Sequence, residues 1–172
     1  EIPDKNGISH FLEHMFFKGT RKRTAKDIAF EIDSMGGDLN AFTSRENTAF
    51  YIKVIDECLE NGLELLSDIF VNSTFPEDDI EKEKRIIKEE IKMVEDTPDD
   101  YIHDLFNQAV WGDNRLGHTI LGRRETIASF TRDDILTHIR KYYGTKNIVI
   151  SCAGNFVPEK LINIFNNNFI GA

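Results

Sequence analysis

The segment HFLEHMFFKGT at residues 10–20 carries two histidines and a glutamate in a pattern typical of a metal-binding helix. On an α-helix, His10 and His14 lie one turn apart on the same face. Two neutral imidazoles at this spacing can bind one Zn²⁺ ion. Glu13 lies three residues after His10, close to that face, where its carboxylate can point at a metal-bound water. The sequence therefore predicts a zinc site here, the alternative being a plain surface helix that happens to carry a histidine pair.

A tetrahedral zinc site needs a third protein ligand and an open position for water. The best candidates lie in EDDIEKEKRIIKEEIKMVE at 77–95, which follows Pro76 and begins with three acidic residues that suit a helix N-terminus. Apolar residues that recur at helical spacing are predicted to form its buried stripe: Ile80, Ile87, Ile91 and Val94. Glu83 and Glu90 lie two turns apart on one face, but spacing alone does not decide between Glu89 and Glu90 as the ligand.

Hydrophobic periodicity and turn residues divide the rest of the chain into helices and a few strands. Helices are predicted over about 6–18, 24–35, 56–72, 77–95, 99–111 and 131–143, with another after Pro158. Strands are predicted over 38–54 and 147–153. Long helices with few strands favour an α+β fold over a regular βαβ fold.

Composition excludes several classes of partner. The chain has 172 residues and a net charge of −9, which argues against nucleic acid and anionic membranes and suits a basic peptide only weakly. No apolar run approaches the length of a membrane span. Cys58 and Cys152 fit no metal spacing and are expected to be reduced and buried. This points weakly to a reducing compartment.

Other candidate groups carry less chemistry. No Ser/His/Asp or Cys/His arrangement stands out, and the remaining histidines lack metal spacing and are read as surface or hydrogen-bonded side chains: His103, His118 and His138. The phenylalanines around the motif are expected to pack the metal-binding helix rather than form a specificity pocket: Phe11, Phe16 and Phe17.

The segment at 10–20 resembles the pitrilysin-type metallopeptidases, an inverted zinc peptidase family that includes insulysin and the mitochondrial processing peptidase. Further segments resemble later landmarks of that family: 36–51, 81–100, 116–135 and 142–156. They lie nearest the bacterial and mitochondrial processing-peptidase branch, which implies the bacterial cytoplasm or, alternatively, the mitochondrial matrix. The resemblance implies an α+β half-domain in which a mixed, largely antiparallel sheet packs against several long helices.

The resemblance also implies roles for individual residues. Zinc is the implied cofactor, held by His10, His14 and Glu90, the second glutamate of the pair. Glu13 is the implied catalytic base, and Glu83 is implied to support the site without binding the metal. An edge strand beside the zinc is implied to bind the peptide substrate as an added strand: Asn40, Ala41, Phe42 and Thr43.

These roles imply a zinc-dependent endopeptidase that hydrolyses peptides or presequence-like segments. Residues 1–172 are then expected to be its N-terminal zinc-bearing domain, lacking a leading strand and a second homologous domain. That second domain, or a dimer partner, is expected to enclose the substrate. One alternative is a non-catalytic structural subunit of the same fold, although such subunits usually lose a ligand or the base. Another is a metal-dependent lyase acting on S-ribosylhomocysteine, which shares the H-x-x-E-H motif but not the segments at 36–51 and 81–100.

Overall fold

The computed structural model describes residues 1–169, which form eight α-helices and one two-stranded antiparallel sheet. The helices are α1 (Ile8–Phe16), α2 (Ala25–Ser34), α3 (Leu59–Asn72), α4 (Glu77–Glu95), α5 (Pro98–Trp111), α6 (Arg124–Ser129), α7 (Arg132–Tyr142) and α8 (Pro158–Phe169). The strands are β1 (Asp38–Thr43) and β2 (Thr48–Lys53). The α+β prediction is confirmed, and none of the described helices is long and apolar enough to cross a membrane.

The chain divides into two compact units. The first consists of Glu1–Met15, Phe42–Ala49 and Pro76–Asn147. Its core is formed by α1, α4, α6 and α7, together with Phe130, which follows α6. The largest fully buried side chains of this core are Ile8, Phe11, Leu12, Met15, Ile87, Ile127, Phe130 and Ile135. The Phe11 and Phe130 rings meet edge to face, with centroids 5.5 Å apart. The segment that carries His10, Glu13 and His14 is therefore on a helix whose apolar face is completely buried.

The second unit consists of Phe16–Ala41, Phe50–Phe75 and the described residues from Ile148 onward. Its core contains an aromatic cluster in which the Phe16 ring lies against three others: Phe50, Phe70 and Phe75. The Arg23 guanidinium is paired with the carboxylates of Glu31, Glu64 and Asp68 at 2.6–3.0 Å. The expectation that Phe11 and Phe16 are core residues is confirmed, while Phe17 is half-buried.

The first turn of α1 is fixed by a carboxylate and by a close backbone contact. The Glu1 side chain accepts hydrogen bonds from Gly7 N at 2.9 Å and Ser9 N at 2.7 Å, which satisfies amide groups that the helix leaves unpaired. Gly7 has φ +92°, and a Cβ there would lie 2.6 Å from Leu121 O. Gly122, at φ +80°, faces it. Glycines at both positions let residues 6–7 and 121–122 approach closely and set where α1 begins.

We expect Gly7→Ala to lower the free energy of unfolding by about 2–4 kcal/mol, because the new methyl group combines left-handed backbone strain with a backbone clash. Gly36→Ala is the matched control, since Gly36 also has a positive φ of +60° but no atom lies within 4 Å of its added Cβ. Its cost should be about 1–2 kcal/mol. Urea denaturation of both variants measures the difference, and equal losses would show that the contact with Leu121 is unimportant.

Two strand predictions need correction. The region 38–54 is not one strand but a hairpin, closed where Ser44 N donates to Asn47 O at 2.7 Å. The predicted strand at 147–153 is wrong: residues 148–153 are irregular, and the Val149 side chain is 93% exposed. A strand needs a hydrogen-bonded neighbour, and within residues 1–169 the two strands pair only with each other.

The helix predictions are largely confirmed. The glutamate-rich helix spans the predicted residues, and Thr24 and Thr131 each form a capping box at the start of α2 and α7. The sequence did not predict α6, whose six residues are too few to show a helical period. Cys58 and Cys152 are free, as expected, but only half-buried rather than buried.

Candidate active site

Helices α1 and α4 bring the predicted metal ligands together. His10 and His14 project from one face of α1, and their ring centroids are 4.7 Å apart. Glu90 projects from α4 towards both rings, whereas Glu89 is exposed. Position on α4 therefore separates the two glutamates that spacing alone left equal. All three residues belong to the first compact unit.

The distances in this cluster suit ligands around one ion better than hydrogen bonds. His10 Nε2 lies 3.7 Å from Glu90 Oε1, and His14 Nε2 lies 3.7 Å from Glu90 Oε2. Both distances exceed a normal hydrogen bond. Two atoms bound tetrahedrally to zinc at 2.0–2.1 Å are about 3.3–3.4 Å apart. One potential ligand atom from each residue lies within 4.8 Å of the others, which makes this the one group of its kind in the described part of the chain.

Burial and charge also favour a cation at this position. Within residues 1–169, Glu90 Oε2 and His10 Nδ1 are buried without a hydrogen-bond partner. Burial, with a smaller effect of His14, lowers the pKa of His10 to about 4, so that the imidazole is neutral at pH 7. Burial raises the pKa of Glu90. The nearby Glu13 and Glu83 carboxylates also raise this pKa, whereas His14 lowers it. Two imidazoles among three carboxylates form a site that a divalent cation would stabilise. The residues present therefore fit zinc.

Glu83 holds His14 in a defined orientation. Its Oε2 lies 3.0 Å from His14 Nδ1, and the Glu83 side chain is almost fully buried on α4. A carboxylate at this position accepts a hydrogen bond from Nδ1–H, which keeps the proton on Nδ1 and leaves Nε2 unprotonated and directed towards Glu90. Glu83 thus lies beside His14 and not in the group of potential metal ligands, and its supporting role stays a prediction.

Glu13 is held by the hairpin. The Thr43 hydroxyl donates a hydrogen bond of 2.6 Å to Glu13 Oε2. Among the described residues, no group donates a hydrogen bond to the other oxygen of this carboxylate, Glu13 Oε1. The sequence predicts only substrate binding for Thr43 and does not predict this contact with Glu13. The one sequence signal for this contact is the turn at 44–47. A hairpin closed by that turn places Thr43 and Thr48 opposite each other.

The other predicted substrate residues precede Thr43 on β1. Phe42 is 52% exposed, whereas Ala41 is buried. Asn40 Oδ1 accepts a hydrogen bond from Ala41 N at 2.8 Å. The exposed Phe42 and the hydroxyl of Thr43 thus lie at the end of β1 that reaches the site.

The remaining histidines have other partners. The Nε2 atom of His138 lies 3.5 Å from Ser9 Oγ, and burial lowers the pKa of His138 to about 4. The backbone oxygen of His118 accepts a hydrogen bond from Arg45, and that of His103 accepts one from Asn107. None of them belongs to the metal-ligand group.

Comparison with known proteins gives relatives over nearly the whole chain. The chain is 52% identical over 155 residues to an uncharacterized zinc protease, YmxG, of Bacillus subtilis, covering 90% of this chain and 38% of that protein. It is 40% identical over 169 residues to the mitochondrial-processing peptidase subunit beta of Homo sapiens, covering 98% and 35%. The chain thus spans less than two fifths of the length of these curated relatives.

A solved structure shares the fold. The crystal structure of a protease from Helicobacter pylori superposes with a TM-score of 0.92 at 26% sequence identity, covering 98% of this chain and 41% of that one. The model of the family described as Insulinase (Peptidase family M16) matches residues 1–124. The chain therefore belongs to the insulinase family of peptidases, family M16.

Proposed function

We propose that the protein containing this chain is a zinc-dependent endopeptidase. The observation that carries the proposal is the convergence of His10, His14 and Glu90 within 4.8 Å, with Glu13 on the same helix one residue before His14. Relatives named zinc proteases and a processing peptidase support the same reading. The proposed substrates are peptides or presequence-like segments.

The zinc would be held by His10, His14 and Glu90. When bound, it supplies a Lewis acid that polarises a peptide carbonyl and acidifies water. Glu83 keeps the His14 proton on Nδ1, so that Nε2 stays available as a ligand.

Glu13 would act as the general base and then the general acid. Oε2 is occupied by the Thr43 hydroxyl, and Oε1 is free to accept the proton of the attacking water. The same oxygen then delivers that proton to the departing amine, which leaves the carboxylate ready for another cycle. No nucleophilic side chain is required, in keeping with the absence of one from the described cluster.

The peptide would bind along β1 as an added strand, through Asn40, Ala41, Phe42 and Thr43. Backbone hydrogen bonds provide affinity in this mode and impose little sequence preference. The exposed Phe42 can contact a substrate side chain. A second homologous domain or a dimer partner would enclose the peptide, with residues 1–172 as the zinc-bearing domain.

The test is hydrolysis of an internally quenched peptide by the full-length protein, together with its zinc content by elemental analysis. A peptidase binds about one zinc per chain and cleaves the peptide, and added chelator abolishes cleavage. A non-catalytic subunit of the same fold would not cleave it, and that result would overturn the proposal.

We expect Glu83→Gln to reduce activity or zinc affinity by about 10–100-fold, because the amide can also donate to Nδ1 and no longer fixes the His14 tautomer. Glu81→Gln is the matched control, since Glu81 lies on the same helix and pairs only with Lys84 on the exposed surface. Peptide hydrolysis and zinc titration measure both variants. A loss as large as that of Glu90→Gln would mean that Glu83 is itself a ligand.

A further inference from the structure

Three hydroxyl groups follow one another from the end of α7 to the Glu13 carboxylate. The Thr43 hydroxyl donates to Glu13 Oε2 at 2.6 Å. Its oxygen lies 3.3 Å from Thr48 Oγ1. The Thr48 side chain in turn shares a hydrogen bond with Tyr143, the residue that follows α7. All four residues belong to the first compact unit.

Counting protons fixes the direction of these bonds. Each hydroxyl carries one proton. Thr43 uses its proton on Glu13, so Thr48 must donate to Thr43. Thr48 then has no proton left for Tyr143, and the phenol must donate to Thr48. Burial raises the pKa of Tyr143 to about 12, so this donor stays protonated at neutral pH. All three bonds therefore point towards the carboxylate, an arrangement in which each bond strengthens the next.

The turn that carries both threonines is itself fixed. Thr43 ends β1 and Thr48 begins β2, and between them Ser44 N donates to Asn47 O. Within the turn, Arg45 donates to Leu116 O at 3.0 Å and to the backbone oxygen of His118. It also pairs with Asp104 on α5 at 2.9 Å. The position of the two hydroxyls is thus set by the fold and does not depend on bound substrate.

We propose that Thr43, Thr48 and Tyr143 are positioning residues that hold Glu13 Oε2, so that Oε1 alone faces the reacting water. The inference rests on the proposed function, since it assigns the hydroxyl chain to the base of that reaction. A free carboxylate rotates between orientations, and only some of them place an oxygen where the proton is released. Fixing one oxygen selects the productive orientation before substrate arrives.

The main experiment compares Thr43→Val, which keeps the shape of the side chain but removes the hydroxyl, with Thr43→Ser, which keeps the hydroxyl. In the zinc-loaded full-length protein, Thr43→Val should lower kcat by about 10–100-fold. KM should change less than kcat, because the peptide would bind β1 through backbone groups that the substitution keeps. Thr43→Ser should restore most of kcat. Zinc content should remain that of the wild type. Equal kcat values for Thr43→Val and the wild type would overturn the proposal.

Tyr143→Phe tests the far end of the chain. Its expected loss of kcat is smaller than that of Thr43→Val, because the phenol acts through two intervening bonds. Tyr142→Phe is the matched control: Tyr142 is the preceding residue, is partly exposed, and has its ring against His138. Equal activities of the two phenylalanine variants would remove Tyr143 from the proposal.

Crystal structures of the two Thr43 variants provide a readout that does not require activity. Glu13 should keep one orientation in Thr43→Ser and rotate, or occupy several orientations, in Thr43→Val. An unchanged carboxylate in Thr43→Val would overturn the positioning role. If the wild type cleaves no peptide while Thr43→Val still releases Glu13, the proposed peptidase function fails and the positioning of Glu13 stands.

Discussion

Glu13→Gln in the full-length protein is expected to retain about one zinc per chain and to lose about 10²–10⁴-fold in kcat. The amide is nearly the same size as the carboxylate and can still accept the Thr43 hydrogen bond through its oxygen. It cannot take a proton from water or return one to the leaving amine. The loss should therefore fall on kcat and on kcat/KM equally, as for an interaction made only in the transition state.

The measurement is steady-state hydrolysis of a quenched peptide at saturating zinc, with elemental analysis of the same samples. Glu89→Gln is the matched control, because it makes the same chemical change at an exposed position of α4. Activity of Glu13→Gln close to that of Glu89→Gln would show that Glu13 is not the base. Loss of zinc in Glu13→Gln would show that it is a ligand.

The grouping of the three proposed metal ligands could be predicted in large part from the sequence, because it depends on local regularity. His10 and His14 are placed by the helical repeat alone, and the burial of Ile87 and Ile91 fixes which face of α4 is turned inwards. The choice between Glu89 and Glu90 required more than spacing, since adjacent residues on a helix are only 100° apart. The family resemblance named Glu90, and the structure places its carboxylate beside both imidazoles.

The parts that were missed depend on contacts between distant segments. The apolar run at 147–153 predicts a strand, but strand formation also needs a neighbour, and Val149 is exposed instead. The hydrogen bond between Tyr143 and Thr48 joins residues that lie 95 positions apart, and no periodic pattern in the sequence predicts it. Substrate binding by Thr43 stays a prediction, and its hydrogen bond to Glu13 was not predicted, because that contact joins residues 30 positions apart.

Different structural elements carry the proposed metal ligands and the residues that hold Glu13. The groups predicted to bind metal come from two helices with buried apolar faces, whereas the groups that hold Glu13 come from a hairpin turn and the end of α7. Metal binding and orientation of the base are therefore served by different elements of the first unit. Variants on the hairpin should change catalysis without changing zinc content, and variants of the ligands should change both.

His14→Ala is expected to reduce the zinc content of the full-length protein from about one equivalent to a trace, and to abolish peptide hydrolysis. The substitution removes one of three protein ligands and also leaves the buried Glu83 carboxylate without its imidazole partner. Since this second effect can destabilise the fold, Glu90→Gln provides an independent test at a half-buried position. It removes the negative charge from the ligand set while keeping the size of the side chain.

Glu89→Gln is the control for Glu90→Gln on the adjacent residue of α4. Only the Glu90 carboxylate lies beside both histidines, so Glu90→Gln should lose zinc and activity while Glu89→Gln keeps both. Circular dichroism of each variant distinguishes loss of the metal from loss of the fold. A full equivalent of zinc in folded His14→Ala or Glu90→Gln would place the metal elsewhere. Glu89 is exposed and does not lie beside the two histidines. Equal zinc loss in Glu89→Gln and Glu90→Gln would therefore mean that the charge of α4, and not coordination by Glu90, holds the metal.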